Sequence, residues 1–172
     1  MADGALPDSF TFIPDAANAR AFRDALGSFA TGVTLVTIAG PEGPMGFVAN
    51  SFSSLSMDPP LVIWSPSKSA SRYPHFAVAR HYAIHILAED QHDIIARFMR
   101  GGAGFDGLAH EINAEGVPVL ATAAARFDCV QHATHEGGDH LIVVGQVLRA
   151  SQRDVAGLVF NKGQYGGFSA KV

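Results

Sequence analysis

A single cysteine, Cys129, in 172 residues rules out a disulfide within the chain and suits a reducing compartment. Charge is scarce as well. Only 16% of residues are charged, against about 25% in a typical soluble domain. No apolar run approaches the roughly 18 residues that a membrane span needs. No basic stripe interleaves with aromatics, and the net charge is −4, so neither nucleic acid nor another polyanion is an expected partner. The N-terminus lacks the cationic start and apolar run of a secretory signal; it carries Asp3, Asp8, Asp15, Pro7 and Pro14 instead. A cytoplasmic location follows as the expectation. With 48% hydrophobic residues and no membrane to enter, the charge-poor surface points to a large interface between subunits. The length fits one domain, expected over residues 19–172 behind a flexible arm at 1–18.

What is present is mostly extended. Phe22, Leu26, Phe29 and Ala30 fall at helical spacing over 19–30, with Gly32 as the stop. GVTLVTIAG (32–40) is rich in β-branched residues, and the turn-forming PEGP leads to MGFVAN (45–50), so the two predict a hairpin. LVIWS (61–65) and HYAIHIL (81–87) have the continuous apolar character of strands buried on both faces. Asp90 is a potential cap for a helix bearing Ile94, Ile95, Phe98 and Met99, closed by Gly101 and Gly102. ARFDCVQHATH and HLIVVGQVLRAS flank EGGD and predict a long hairpin. Short strands joined by turns, with two helices far apart, argue for a mainly β fold with flanking helices, an antiparallel barrel in place of alternating βαβ units.

Several motifs bear on chemistry. Gly102, Gly104 and Gly107 spell G-x-G-x-x-G, but after a helix and before no helical stripe, which is the wrong context for a dinucleotide turn. Cys129, His132, His135 and His140 lie within twelve residues. Strand parity sends 129 and 132 to opposite faces, as it does 132 and 135, so no metal site is expected. A mid-strand Cys129 is a poor nucleophile, since burial raises its pKa. VANSFSSLSMDPP (48–60) gathers Asn50 and four serines without a Lys, Arg or Glu. Such neutral donors suit the acceptor edge of an isoalloxazine ring; taken alone, the stretch reads more readily as a plain serine-rich loop. SPSKSASR (65–72) adds Lys68 and Arg72, and hydroxyls, amides and cations together can hold a phosphate, or simply be solvated. Gly137, Gly138, Asp139 and His140 fit a hairpin turn, with an imidazole placed to bond a carboxamide or phosphate.

Taken in order, FATGVTLVT (29–37), GFVANSFSSLSMDPPLV (46–62), LAEDQ (87–91), RF (97–98), GVPVL (116–120) and GGDH (137–140) resemble the short-chain flavin reductases, over roughly residues 20–168. These are the reductase components of two-component flavin monooxygenases. The resemblance implies an antiparallel Greek-key split β-barrel that binds FMN, a homodimer, NADH or NADPH as reductant, FMN or FAD as acceptor, and a monooxygenase component receiving reduced flavin. By the same resemblance Val48, Ala49, Asn50, Ser51, Phe52, Ser53 and Ser54 line the flavin ring. Ser65, Ser67, Lys68, Ser69, Ala70 and Ser71 hold the ribityl chain and phosphate. Thr31, Gly32, Val33, Thr34, Asp139 and the catalytic His140 approach the nicotinamide nucleotide, Tyr165 closes the site, and Arg97 and Phe98 belong to its surroundings. Two positions depart from the pattern: Val48 stands where most relatives have Thr, and Lys68 where Arg is commoner and would offer a bidentate fork. Other readings of the same residues are a flavin-binding electron carrier and a flavin-dependent reductase of a bound acceptor such as a corrinoid or nitroaromatic.

Overall fold

The computed structural model describes residues 11–99 and 104–169. Along the chain run α1 (Ala19–Leu26), β1 (Thr31–Gly32), β2 (Thr34–Gly40), β3 (Gly43–Ala49), β4 (Ser53–Met57), β5 (Pro60–Trp64), α2 (Tyr73–Ala77), β6 (His81–Ile86) and α3 (His92–Met99). There follow β7 (Glu111–Ile112), β8 (Pro118–Val119), β9 (Ala125–Gly137), β10 (His140–Gln152), β11 (Val159–Asn161) and β12 (Gln164–Gly166). Seven strands form one antiparallel sheet in the order β3-β2-β6-β9-β10-β5-β4. Its two ends, β3 and β4, do not pair with each other, and this is the split antiparallel barrel expected. β1, β11 and β12 make a three-stranded sheet, and β7 and β8 a two-stranded one.

β2 is buried on both faces because its β-branched and aliphatic residues serve two cores. Val36 and Ile38 join Phe47, Trp64, Phe76 and Tyr82 inside the barrel. Leu35, with Val33 just before the strand, joins Leu87, Ile94, Ile95, Phe98 and Leu158 under α3. The inner aromatics meet edge to face, Phe47 with Trp64 at 5.8 Å and with Phe76 at 5.4 Å between centroids, geometry that suits the ring quadrupoles. His85 is buried in β6, where its Nδ1 donates to the Leu35 carbonyl at 2.9 Å and its Nε2 accepts from the Leu120 N–H at 3.1 Å. That pairing requires the neutral ring, and burial lowers its pKa to about 4.

Several expectations shift. The first helix stops at Leu26 with Gly27 as its cap, not at Gly32, and none of its residues is buried. Gly32 lies in β1. Strand 32–40 is interrupted at Val33, whose N–H donates to Leu158 O and whose carbonyl accepts from Leu87 N. Ser53–Met57, read as loop, is an edge strand paired with β5. It shows no apolar alternation because both faces are largely exposed. Ahead of α3 it is the side chain of Gln91, not Asp90, that bonds the backbone, accepting from the Ala88 N–H at 2.9 Å. Gly101 and Gly102 lie outside the described residues. The long hairpin is as expected, except that β9 carries an extra residue at His132, between the partners of Val144 and Gly145, and β10 an extra residue at Leu148. Simple parity therefore does not hold across 129–135.

Candidate functional site

A cleft of about 290 Å³ opens beside the end of β3, lined by Val33, Val48, Ala49, Asn50, Arg72, Met99, Phe160 and Tyr165. Each wall is held by backbone geometry. Thr34 Oγ1 donates to Ala49 O at 2.7 Å and so fixes the last residue of β3. Ser51 Oγ donates to Ser65 O at 3.1 Å and accepts from Ser65 N at 2.9 Å, tying the 50–52 bend to the start of the 65–72 loop. Within that bend, the N–H groups of Asn50, Ser51 and Phe52 donate to no backbone carbonyl among the described residues. Of the three, Asn50 lines the cleft, and an amide left open in this way needs a partner from solvent or ligand.

The α3 wall depends on Gly46. A Cβ there would stand 2.4 Å from the Phe98 ring, so only glycine lets α3 lie this close to β3. Arg72 reaches the same helix end, donating from Nη1 to Phe98 O and stacking its guanidinium 4.9 Å from the Phe47 centroid. Burial lowers the Arg72 pKa. The opposite wall is the β11–β12 hairpin, where Tyr165 lies 5.0 Å from Phe160 and 5.1 Å from His92 between ring centroids. Thr31, paired with Phe160 across β1 and β11, has a buried Oγ1 with no hydrogen-bond partner among the described residues.

A second group of polar side chains forms where the 65–72 loop meets the tip of the β9–β10 hairpin. Lys68 N donates to Asp139 O at 2.9 Å and Leu141 N to Pro66 O at 3.1 Å, which fastens loop to hairpin. Gly138, with φ of +74°, makes the turn. Lys68 Nζ bonds the Glu136 carboxylate and the Gly138 carbonyl. Ser67 and Ser69 share a 2.9 Å hydroxyl contact. His140 Nδ1 lies 2.8 Å from Asp139 Oδ1, and that contact lowers the Asp139 pKa. Ser69, Glu136, Gly138 and Asp139 are exposed and Ser67, Lys68 and His140 half-buried, so the surface is open to an anion.

The sequence-derived candidates therefore divide. Val33, Val48, Ala49, Asn50 and Tyr165 converge on the cleft, and Ser67, Lys68, Ser69, Asp139 and His140 share the polar patch. Thr31 and Gly32 stand on β1 beside Phe160. Ser51, Ser65 and Thr34 spend their side chains or amides on bracing. Phe52 stacks on Phe127 at 5.6 Å, Ala70 packs against the barrel core, and Ser53, Ser54 and Ser71 are exposed. Phe98 is fully buried in the core under α3, while Arg97 bonds Asp106 O at 3.1 Å. Met99 was read only as part of a helix face and Phe160 not at all, because an apolar residue carries no chemical signature of a site. Arg72 was noted for the phosphate, yet its guanidinium is committed to Phe98 and Phe47. Among the described residues no three His, Cys, Asp or Glu side chains are grouped to hold a metal. Burial pushes the Cys129 thiol up to about 12.

The cleft suits a flat heteroaromatic ring: an aliphatic and aromatic floor with the open amide of Asn50 at one edge. The Lys68 ammonium with the Ser67 and Ser69 hydroxyls beyond Ser65 suits a phosphate. Residues 26–169 match the family model described as flavin reductase like domain. The chain is 54% identical over 164 residues to FMN reductase (NADH) SmoA of Agrobacterium fabrum, covering 95% of this chain and 94% of that protein. It is 42% identical to the reductase component of a flavin-dependent trigonelline monooxygenase of Acinetobacter baylyi, covering 85% of this chain but 48% of that protein. The solved structure of the Streptomyces globisporus NADH:FAD oxidoreductase SgcE6 superimposes with a TM-score of 0.88 at 31% identity, covering 98% of this chain and 96% of that one.

Proposed function

This chain belongs to the flavin reductase like family, and from that premise we propose that it transfers a hydride from NADH or NADPH to FMN or FAD and hands reduced flavin to a partner monooxygenase. The convergence of Val33, the Val48–Asn50 stretch, Phe160 and Tyr165 on one cleft carries the reading. The hydride chemistry, from nicotinamide C4 to flavin N5, is that of the cofactors when bound.

The chain's own residues orient and enclose. Val48, Met99 and Val33 supply an apolar bed that favours a ring over water. The amides of Asn50 to Phe52 meet the ring's acceptor edge without burying a charge. Lys68, with Ser67 and Ser69, anchors the phosphate end and thereby fixes the ring's register in the cleft. Thr31 and His140 receive the nicotinamide nucleotide, and Tyr165 closes over it against Phe160. Alignment of this kind, with no nucleophile and no metal, is what hydride transfer between two stacked rings requires.

A homodimer completes the reading. Ile13 (76%), Leu26 (59%) and Phe29 (77%) stand exposed around α1, a helix with no buried residue of its own. A second copy is the partner that a charge-poor chain provides for itself. Light scattering on the purified chain tests the dimer. Cytoplasmic placement is supported by the single, buried Cys129, and no helix among the described residues is long and apolar enough to cross a membrane.

The activity is tested by anaerobic stopped-flow absorbance of FMN-loaded protein mixed with NADH, repeated with NADPH and with FAD. Rapid bleaching of the flavin band is the expected result. Firm flavin binding without bleaching by either nucleotide would refute the reductase and leave a flavin carrier.

A further inference from the structure

Lys68 is already engaged in the free protein. Its ammonium bonds Glu136 and the Gly138 carbonyl, and the Glu136 contact raises its pKa. Asp139 adds a second carboxylate within the same turn. The Lys68 ammonium thus faces two carboxylates where a phosphate is to bind. The backbone gives no relief, because the 65–72 loop and the hairpin tip are fastened by Lys68 N to Asp139 O and Leu141 N to Pro66 O. The Glu136 side chain, by contrast, is 78% exposed and can swing into water.

We propose that Glu136 is a resident competitor for the flavin phosphate, occupying Lys68 in the free protein and weakening FMN more than FAD. This rests on the reading of Lys68 as the phosphate anchor. An incoming phosphate displaces the carboxylate from the ammonium and then remains beside it. The phosphomonoester of FMN carries nearly two charges at neutral pH, whereas each phosphate of the FAD diester carries one, so the repulsion falls hardest on FMN. Riboflavin has no phosphate and is indifferent. Unit charges about 4 Å apart in water interact by about one decimal order or slightly less in binding constant, and by more where the protein excludes solvent. Salt screens the effect, since Glu136 and Asp139 are exposed and Lys68 is only half-buried. The consequence for turnover is that flavin leaves readily, as a reductase feeding a separate enzyme needs.

The test is titration of the full-length wild type, Glu136→Gln and Lys68→Met with FMN, FAD and riboflavin, followed by flavin fluorescence at low and at high salt. Glu136→Gln is expected to bind FMN about tenfold more tightly and FAD a few-fold more tightly, with riboflavin unchanged and both gains shrinking in high salt. Circular dichroism checks that each variant is folded; Glu136→Ala serves if the glutamine variant is not. If Glu136→Gln leaves FMN affinity where it was, lowers it, or improves riboflavin equally, the competitor is refuted. Lys68→Met separates the two layers. Loss of FMN but not riboflavin affinity keeps the phosphate anchor standing even when the competitor fails, whereas equal effects on both flavins remove the anchor and the competitor with it.

Discussion

Gly46→Ala probes how packing beneath the cleft controls the cleft. The added Cβ would lie 2.4 Å from Phe98 Cδ1, 2.5 Å from Cε1 and 2.9 Å from Leu35 Cδ1. None of these atoms can retreat easily. Phe98 and Leu35 are fully buried, and the far side of the Phe98 ring meets Phe105 edge to face at 5.0 Å. Overpacking of this kind costs about 1–3 kcal/mol. For a chain of this size each kcal/mol moves the melting temperature by about 2–4 °C, so a fall of about 2–12 °C is expected. The strain has one outlet, which is displacement of α3 away from β3. That movement carries Met99 out of the cleft wall and Phe98 O away from Arg72, so FMN affinity falls as well. Calorimetry and flavin titration read the two effects. A double-mutant cycle with Phe98→Leu, which makes room for the new methyl, should show compensating coupling of about 0.5 kcal/mol or more. A melting temperature within about 1 °C of wild type, or strictly additive mutations, would refute the argument that ring and glycine form one interlock.

Burial of neutral His85 predicts a stability slope in acid. Its folded pKa of about 4 lies below the unfolded value near 6.5, so the unfolded chain binds the extra proton and stability falls as pH drops from about 6.5 to 4, by about 3 kcal/mol in all. Urea unfolding across that window measures the slope; His85→Gln should flatten it, and an unchanged slope would assign it elsewhere. Thr31→Val removes a buried hydroxyl that has no partner in the free protein. Stability is expected to hold or rise slightly while flavin Kd or nicotinamide KM rises about tenfold, the loss of roughly one hydrogen bond; a destabilised protein with unaltered binding would contradict the role. Tyr165→Ala opens the wall that Tyr165 makes with Phe160. Its KM for NADH should increase several-fold, and identical steady-state kinetics would show that closure over the site is not its work.

How much of this was legible in the sequence depended on what each residue touches. Strands His81 to Ile86 and Leu61 to Trp64 advertised themselves by their mostly apolar runs, although only the first is buried on both faces; in the second Val62 and Trp64 are buried while Leu61 and Ile63 are half-buried. Ser53–Met57 was hidden because an edge strand exposed on both sides has no alternation to show. The apolar stripe of α1 was read correctly as amphipathic, yet its apolar side faces outward, a placement that periodicity cannot distinguish from core. In the site, the residues found were those with polar chemistry or a motif around them. Of these, Ser51 and Thr34 turned out to brace the backbone, since the same hydroxyl that can meet a ligand can equally satisfy a neighbouring carbonyl. Met99 and Phe160 escaped because their contribution is shape. Long-range closeness hides entirely: nothing local marks Gly46 as the partner of Phe98, or Glu136 as the partner of a lysine 68 positions earlier. The affinity and exchange of the flavin, as distinct from the reaction, are set by just such distant contacts, so sequences that share every motif of this site can differ in how firmly they hold the same cofactor.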